Sequence, residues 1–467
     1  MGSFKQEIAG KKVLIVGAAR SGVAAAKQLC VLGAQVTLND SKGEGELPGV
    51  MEEIRSLPIA RALGCPAMDC LQSQQLVVIS PGVPIQSPFI AKARQMGIEV
   101  IGEIELAFRL CPEGVRLAAI TGTNGKTTTT ALCGEIFIAA GQRVHVVGNI
   151  GTPFISRVPE IAPGDVVVAE ISSFQLESVS AFRPSAAALL NLTEDHLNRH
   201  GTMEEYLRVK SRIFENMEGE DALFLNADAP ALHGVEKSAR CRVGFFSRKG
   251  PVAFGAYAQD GAVYFADGEQ TTKICGVEEI FIPGAHNLEN ALAAVSLCMA
   301  LGAPAKAVKK TLRDFQGVEH RIEFVTEVRG VRFINDSKGT NPDSTIKAIQ
   351  AMDRPTVLIC GGYDKHADFL PMVKAFTPQI QTLVLIGQTA DQILAAAKKC
   401  GFDRVMRAGD MAGAVKTAFR VAQPGGSVLL SPACASFDMF SDYEERGRVF
   451  KEEVRHLKEA LDGQSQS

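Results

Sequence analysis

The chain has 467 residues, 46% of them hydrophobic and 22% charged, with a net charge of −3. That length predicts about three domains, and the composition is that of an ordinary globular protein rather than a disordered or fibrous one. The sequence shows no basic run and no apolar stretch of about 18 residues, so neither nucleic acid binding nor membrane insertion is expected.

The first predicted unit covers residues 1–112. A buried strand over 12–16, a helix over 21–32, a second strand over 35–39 and a third over 76–79 read as a Rossmann-like α/β fold. The first strand runs into Gly17-Ala18-Ala19-Arg20-Ser21-Gly22, and Asp40 ends the second. This resembles a dinucleotide turn, but Ala19 replaces the middle glycine and limits close approach by a pyrophosphate. NAD is therefore not expected, and another nucleotide is. Asp40, Ser41 and Lys42 offer ribose and phosphate contacts. Ser80-Pro81-Gly82 closes the third strand.

The second predicted unit covers 113–319. Strands are expected over 117–120, 144–147, 166–170, 186–190 and 222–225. Their unbroken apolar character, with helical patterns between them, predicts a parallel sheet covered on both faces. Between the first strand and its helix lies Thr121-Gly122-Thr123-Asn124-Gly125-Lys126-Thr127. A strand, a glycine turn and a helix start make a phosphate cradle, to which a Lys adds charge and a Thr hydroxyl a place in a Mg²⁺ shell. Ile120 stands where the longer Walker pattern has glycine. Thr128 follows in the same turn. Past the next strands come Asn149, suited to a phosphate or sugar; Glu170, suited to Mg²⁺; and His196, suited to metal or proton transfer.

Thr202-Met203-Glu204-Glu205 reads as a capping box. On the helix it opens, Lys210 falls on the apolar stripe with Leu207 and Phe214. A buried lysine tends to lose its proton, and a neutral amine can add CO₂ to become a carbamate, an anionic oxygen ligand. Residues 240–282 look short and β-like. A helix from about Asn287 to Leu301 carries Asn287 and Asn290 three apart, on one face, where they could read an adenine edge.

The third predicted unit covers 320–467, again Rossmann-like, with strands over 356–359, 382–386 and 427–430. Arg321 suits a γ-phosphate and Asp336 a ribose or metal shell. Gly361-Gly362-Tyr363-Asp364-Lys365 and Ser431-Pro432-Ala433-Cys434-Ala435-Ser436-Phe437-Asp438 both follow strands. The polar stretch 463–467 is expected to fray. The 11 cysteines have no disulfide or zinc spacing, and with no signal peptide visible they predict a reduced, cytoplasmic protein.

Taken in order, these stretches resemble the Mur ligase family, the amide ligases of peptidoglycan precursor synthesis, from Gly17 to about Arg446. Glu170-Ile171-Ser172-Ser173-Phe174-Gln175-Leu176-Glu177 and Asn335-Asp336-Ser337-Lys338-Gly339-Thr340-Asn341 are similar to the branch that adds D-glutamate. The resemblance implies three domains, ATP and two Mg²⁺ ions as cofactors, UDP-N-acetylmuramoyl-L-alanine and D-glutamate as substrates, and a monomer. It implies that Gly122, Thr123, Asn124, Gly125, Lys126, Thr127, Thr128, Asn287, Asn290, Arg321, Asp336 and Lys338 hold ATP. It assigns Thr127, Glu170, His196 and a carbamylated Lys210 to the metals, with Lys126, His196 and Lys210 as catalytic groups. Arg20, Ser21, Asp40, Ser41, Lys42, Ser80, Pro81, Gly82 and Asn149 would hold the UDP-sugar, and Thr340, Lys365, Ser436, Phe437 and Tyr443 the D-glutamate. Lys42 and Tyr443 depart from the Arg and Phe expected there. A sister ligase for another amino acid, a folate polyglutamate ligase, an NTPase switch and a dehydrogenase are the alternatives.

Overall fold

A computed structural model describes residues 2–149, 151–364 and 367–463. Lys365 and the tail after Gly463, both singled out above, lie outside the described residues. The fold is α/β, with three mainly parallel sheets.

The first sheet has five parallel strands: β1 (Lys12–Val16), β2 (Gln35–Asp40), β3 (Ala60–Leu63), β4 (Leu76–Ile79) and β5 (Glu99–Gly102), in the order β3-β2-β1-β4-β5. Val13 and Ile15 enter one core while Leu14 and Val16 enter another, the period-two alternation of a strand buried on both faces.

The central sheet has six parallel strands: β6 (Arg116–Thr121), β7 (Val144–Gly148), β8 (Val166–Glu170), β9 (Ala186–Leu189), β10 (Glu218–Asn226) and β11 (Arg240–Phe246), in the order β11-β10-β9-β6-β8-β7. Within the short, β-like stretch expected over 240–282, β12 (Phe254–Gln259), β13 (Ala262–Asp267) and β14 (Thr271–Gly276) form an antiparallel ribbon. The helix Glu103–Leu110 belongs to both sheets. Its residues enter the core that also takes Phe154, Ile155 and Phe182 of the central sheet's helices and loops. Glu105 on this helix is fully buried and accepts from the amides of Ser180, Ala181 and Phe182.

These two sheets and residues 287–315 form one compact unit; residues 282–286 and those from 316 onward form a second. The second unit holds a sheet of β15 (Glu323–Val328), β16 (Val331–Asn335), β17 (Thr356–Cys360), β18 (Ile380–Leu385), β19 (Val405–Arg407) and β20 (Ser427–Leu430), in the order β15-β16-β20-β17-β18-β19. Only the β15–β16 pair is antiparallel. Leu358 and Cys360 face one core of this unit, and Val357 and Ile359 the other.

The capping box expected at Thr202 is half formed. Thr202 Oγ1 accepts from Glu205 N (3.2 Å), but the Glu205 carboxylate takes both Nε and Nη2 of Arg208 at 2.7 Å. An arginine one turn on, offering two charge-assisted bonds, outcompetes the single backbone amide.

Candidate active site

The loop between β6 and the helix Lys126–Ala139 is held from the end of the neighbouring strand β9. Asn191 clips it with both ends of its amide: Oδ1 accepts from Asn124 N (2.9 Å) and Nδ2 donates to Asn124 O (3.0 Å). Thr123 N donates to Asn191 O, and Thr123 Oγ1 exchanges bonds with the Thr193 backbone. Gly125 caps the helix at φ +87°, where a side chain would be strained. A methyl group there would also lie 2.1 Å from Asn290 Oδ1. The loop therefore presents backbone amides at a helix N-terminus, the arrangement that binds phosphate.

Two ammonium groups converge on this loop. Lys126 Nζ donates to Gly122 O and Thr123 O, and Lys210 Nζ, from the helix Met203–Ser211, also donates to Gly122 O. Lys210 is buried over the Tyr206 ring, 4.5 Å from its centroid. Burial holds its pKa well below the usual lysine value; the Lys126 charge pushes the same way, and Asp195 opposes them. The Thr128 hydroxyl, one residue past Thr127, is buried with no protein partner. A buried threonine hydroxyl, two lysine amines and a helix N-terminus fit a polyphosphate.

Glu170 ends β8 and is buried. Asn149, exposed at the end of β7, donates to it twice, from N to the carbonyl (2.8 Å) and from Nδ2 to Oε1 (3.1 Å). His196 sits in left-handed backbone (φ +53°), its ring 4.9 Å from that of Phe174 and its Nε2 3.6 Å from Asp195 Oδ2. Asn287 and Asn290 are both buried and joined, Nδ2 of the second to Oδ1 of the first (3.3 Å). A buried carboxylate at a strand end, with a threonine hydroxyl at the helix start, has the oxygen chemistry Mg²⁺ takes.

The first sheet brings its candidate residues together at the carboxyl ends of β1, β2 and β4. Ser80 Oγ donates to Gly17 O (2.8 Å), and a methyl group on Gly17 (φ +98°) would meet Ser80 Cβ at 2.7 Å. Asp40 accepts from Ala18 N (2.7 Å) and Lys42 N (3.0 Å), so its carboxylate ties the two loops. Arg20, at the start of the helix Arg20–Val31, and Ser41, Lys42 and Gly82 are exposed around them, with Ser21 and Pro81 half-buried.

In the second unit Asp336 follows β16. It is buried, accepts from Ser431 Oγ (2.7 Å) and Ile322 N (3.3 Å), and burial pushes its pKa up to about 6 against those bonds and the Arg321 charge. Arg321 Nε is buried without a partner, a donor free for a ligand. Lys338 Nζ lies 5.5 Å from the Tyr443 ring, and Ser337 Oγ donates to Tyr443 O (2.8 Å). Ser436 is buried, Thr340 half-buried and Phe437 exposed. Arg446 ties this region together from full burial. It donates to Ser337 Oγ and O and to the carbonyls of Cys434 and Ala435.

Asn191 and Arg446 are the two organising residues the sequence reading passed over. Asn191 carried a signal of the same kind as Glu170, a polar residue ending an apolar strand. Arg446 carried none, because its acceptors lie in two segments distant in sequence, at 337 and at 434–435.

Three family models match the chain. The Mur ligase MurD-like N-terminal domain covers residues 11–102, the Mur ligase middle domain 120–298 and the Mur ligase glutamate ligase domain 320–434. A UDP-N-acetylmuramoylalanine–D-glutamate ligase of Thermoanaerobacter pseudethanolicus is 50% identical over 97% of this chain and 100% of its own length. The chain belongs to the Mur ligase family. A ligase of the same name from Clostridioides difficile is 44% identical over 97% of the chain and 100% of its own. The fold is shared with the UDP-N-acetylmuramate–alanine ligase of Thermotoga maritima, at a TM-score of 0.59 and 20% identity over 96% of this chain and all of that one. As a Mur ligase the protein is an ATP-dependent, amide-bond-forming enzyme, and the sequence resemblance is borne out at the level of family and fold. Among the described residues no helix is long and apolar enough to cross a membrane.

Proposed function

We propose that the enzyme joins D-glutamate to UDP-N-acetylmuramoyl-L-alanine, with ADP and phosphate as products. The observation that carries this reading is the full-length similarity to ligases named for that reaction, at 44–50% identity, on a chain whose loops bear the matching motifs. The first sheet is assigned to the UDP-sugar, the central sheet to ATP and the third sheet to D-glutamate, with the protein acting as a cytoplasmic monomer.

In this reading the L-alanine carboxylate attacks the γ-phosphate of ATP and forms an acyl phosphate. The loop amides, Lys126 and Arg321 offset the charge that grows on the transferring group. Two Mg²⁺ ions, when bound, would add Lewis-acid stabilisation there; Thr127, Glu170, His196 and Lys210 would hold them. Lys210 would serve as a carbamate. Its buried, deprotonation-prone amine supports this, since only a neutral amine adds CO₂. Asn287 and Asn290 would read adenine, and Asp336 the ribose. Thr340, Lys365, Ser436, Phe437 and Tyr443 would orient D-glutamate. Its amine must be neutral to attack the acyl phosphate, and His196 is the candidate base if it does not bind metal. The tetrahedral intermediate then expels phosphate.

The test is phosphate release with ATP, Mg²⁺ and UDP-N-acetylmuramoyl-L-alanine against D-Glu, L-Glu, L-Lys and meso-diaminopimelate. Release with D-Glu alone, and a new UDP-linked dipeptide, is expected. Release with another amino acid would overturn the D-glutamate assignment. No amino-acid-dependent release would overturn the proposed reaction.

A further inference from the structure

The first sheet is hydrogen-bonded to the central sheet's loops in two places. One is broad. It runs from Gly102, whose N donates to Ser178 O, through the helix Glu103–Leu110, whose Glu103 accepts from Ile155 N and whose Glu105 accepts from residues 180–182. The other is a single bond: Arg199 Nη2 donates to Val83 O at 2.9 Å. On the broad side, Glu99 of β5 also pairs with Arg109 of that helix (2.8 Å).

That bond reaches the candidate UDP-sugar loop. Val83 N donates to Ser80 O (3.0 Å), closing the turn 80–83, and Ser80 Oγ holds Gly17 O. Arg199 is itself fixed. Its Nε and Nη2 take the two oxygens of Glu177 at 3.1 and 2.6 Å, its guanidinium stands 5.0 Å from the Phe174 ring, and its side chain is only 13% exposed. Beside it a cleft of about 250 Å³ separates Ile85, Gln86 and Arg94 from Val209 and Arg212. The bond therefore bridges a seam that side chains leave open on that flank. A guanidinium suits this role, because its planar fork can grip a carboxylate in two places and still present an N–H to a carbonyl, which an ammonium cannot do in the same geometry.

We infer that Arg199 is a positioning residue that latches the turn 80–83 to the central sheet and thereby sets the affinity for the UDP-sugar. It rests on the reading that this turn holds the UDP end. Its side-chain hydrogen bonds go to Glu177 and Val83, and none reaches the phosphate loop.

The experiment compares wild type with Arg199→Ala, Arg199→Lys and Glu177→Gln. It measures the Kd for UDP-N-acetylmuramoyl-L-alanine without ATP, then both KM values, kcat and Tm. Arg199→Ala is expected to weaken UDP-sugar binding about tenfold, roughly 1.4 kcal/mol, with the KM for ATP and the kcat at saturation within about twofold. Arg199→Lys and Glu177→Gln should fall between. Parallel loss of ATP affinity, or an unchanged Kd in a folded variant, overturns the latch. If Arg199→Ala does not fold, the same comparison on the two milder variants decides. Wild type that binds no UDP-sugar would instead overturn the assignment of the first sheet.

Discussion

Lys126 and Lys210 bring their ammonium groups to one oxygen, Gly122 O, at 2.9 and 2.8 Å. They arrive from different helices, one at the loop and one across it. A charge on Lys210 would be repelled by Lys126 most strongly where water is excluded, and Lys210 is the more buried of the two, so its amine loses its proton easily. An amine kept there at the expense of the fold is the signature of a functional group.

Replacing that amine should separate stability from activity. Lys210→Met keeps the length and removes the buried polar group, so it is expected to raise stability by about 1 kcal/mol at neutral pH while abolishing turnover. Thermal unfolding checks the first part; a lower Tm would show that the amine contributes more to the fold than its burial costs. Lys210→Ala should recover part of its activity with a small added carboxylate, and no recovery in a folded variant would count against the carbamate.

Gly125→Ala introduces a side chain at φ +87° and a contact of 2.1 Å with Asn290. The variant is expected to lose about 1–3 kcal/mol of stability and to bind ATP at least about tenfold more weakly. Gly125→Ala combined with Asn290→Ala should relieve the clash but not the backbone strain. Isothermal titration with a non-hydrolysable ATP analogue, alongside Tm, reads both effects.

Asp336 supplies a pH dependence. Its folded pKa of about 6 stands above the unfolded value, so between the two the native state holds the extra proton. Stability from this group is intact below the unfolded pKa and is lost as pH rises through the folded one. Asp336→Asn has no such loss. The Tm of the variant relative to wild type is expected to climb between about pH 4 and pH 7. A difference that stays flat over that range would show that Asp336 is ionised in the fold throughout.

Arg446 makes its bonds to neutral acceptors in residues 337, 434 and 435. Arg446→Ala removes the donor to the carbonyls of Ser337 and Cys434, while Ala435 O keeps the amide of Tyr363, with a predicted loss of about 3 kcal/mol. Arg446→Lys can reach only part of the set and should lie between. Because Ser436 and Tyr443 are attached to the same network, the KM for D-glutamate is expected to rise in the lysine variant, and steady-state kinetics at saturating ATP would register it.

The strands that sequence made plain are those buried on both faces, such as β8 and β17, which are apolar but for Glu170 at the end of one and Thr356 at the start of the other. The strands it missed are half exposed or very short. β3 carries Ala60 and Arg61 in solvent, and β19 has three residues. Hydrogen bonds to a neighbour, rather than composition, make them strands. β11 falls in the stretch 240–282 that reads only as short and β-like, yet its register places it beside β10 in the parallel sheet. The candidate site was legible where a polar residue ends an apolar run, as at Glu170 and Asp336. The Asn191 clip and the Arg446 hub depend on which strands become neighbours, which no local pattern encodes.

The helix Glu103–Leu110 also bears on how such enzymes could be recombined. It follows the first sheet in the chain, yet its acidic side chains accept from amides at 155 and 180–182. A chimera joined at the predicted unit boundary after residue 112 would import a foreign helix against those amides, leaving a mismatched carboxylate buried at the seam. A crossover placed before Gly102 would leave the helix with its native partners, so the exchangeable module ends with β5 and not at that boundary.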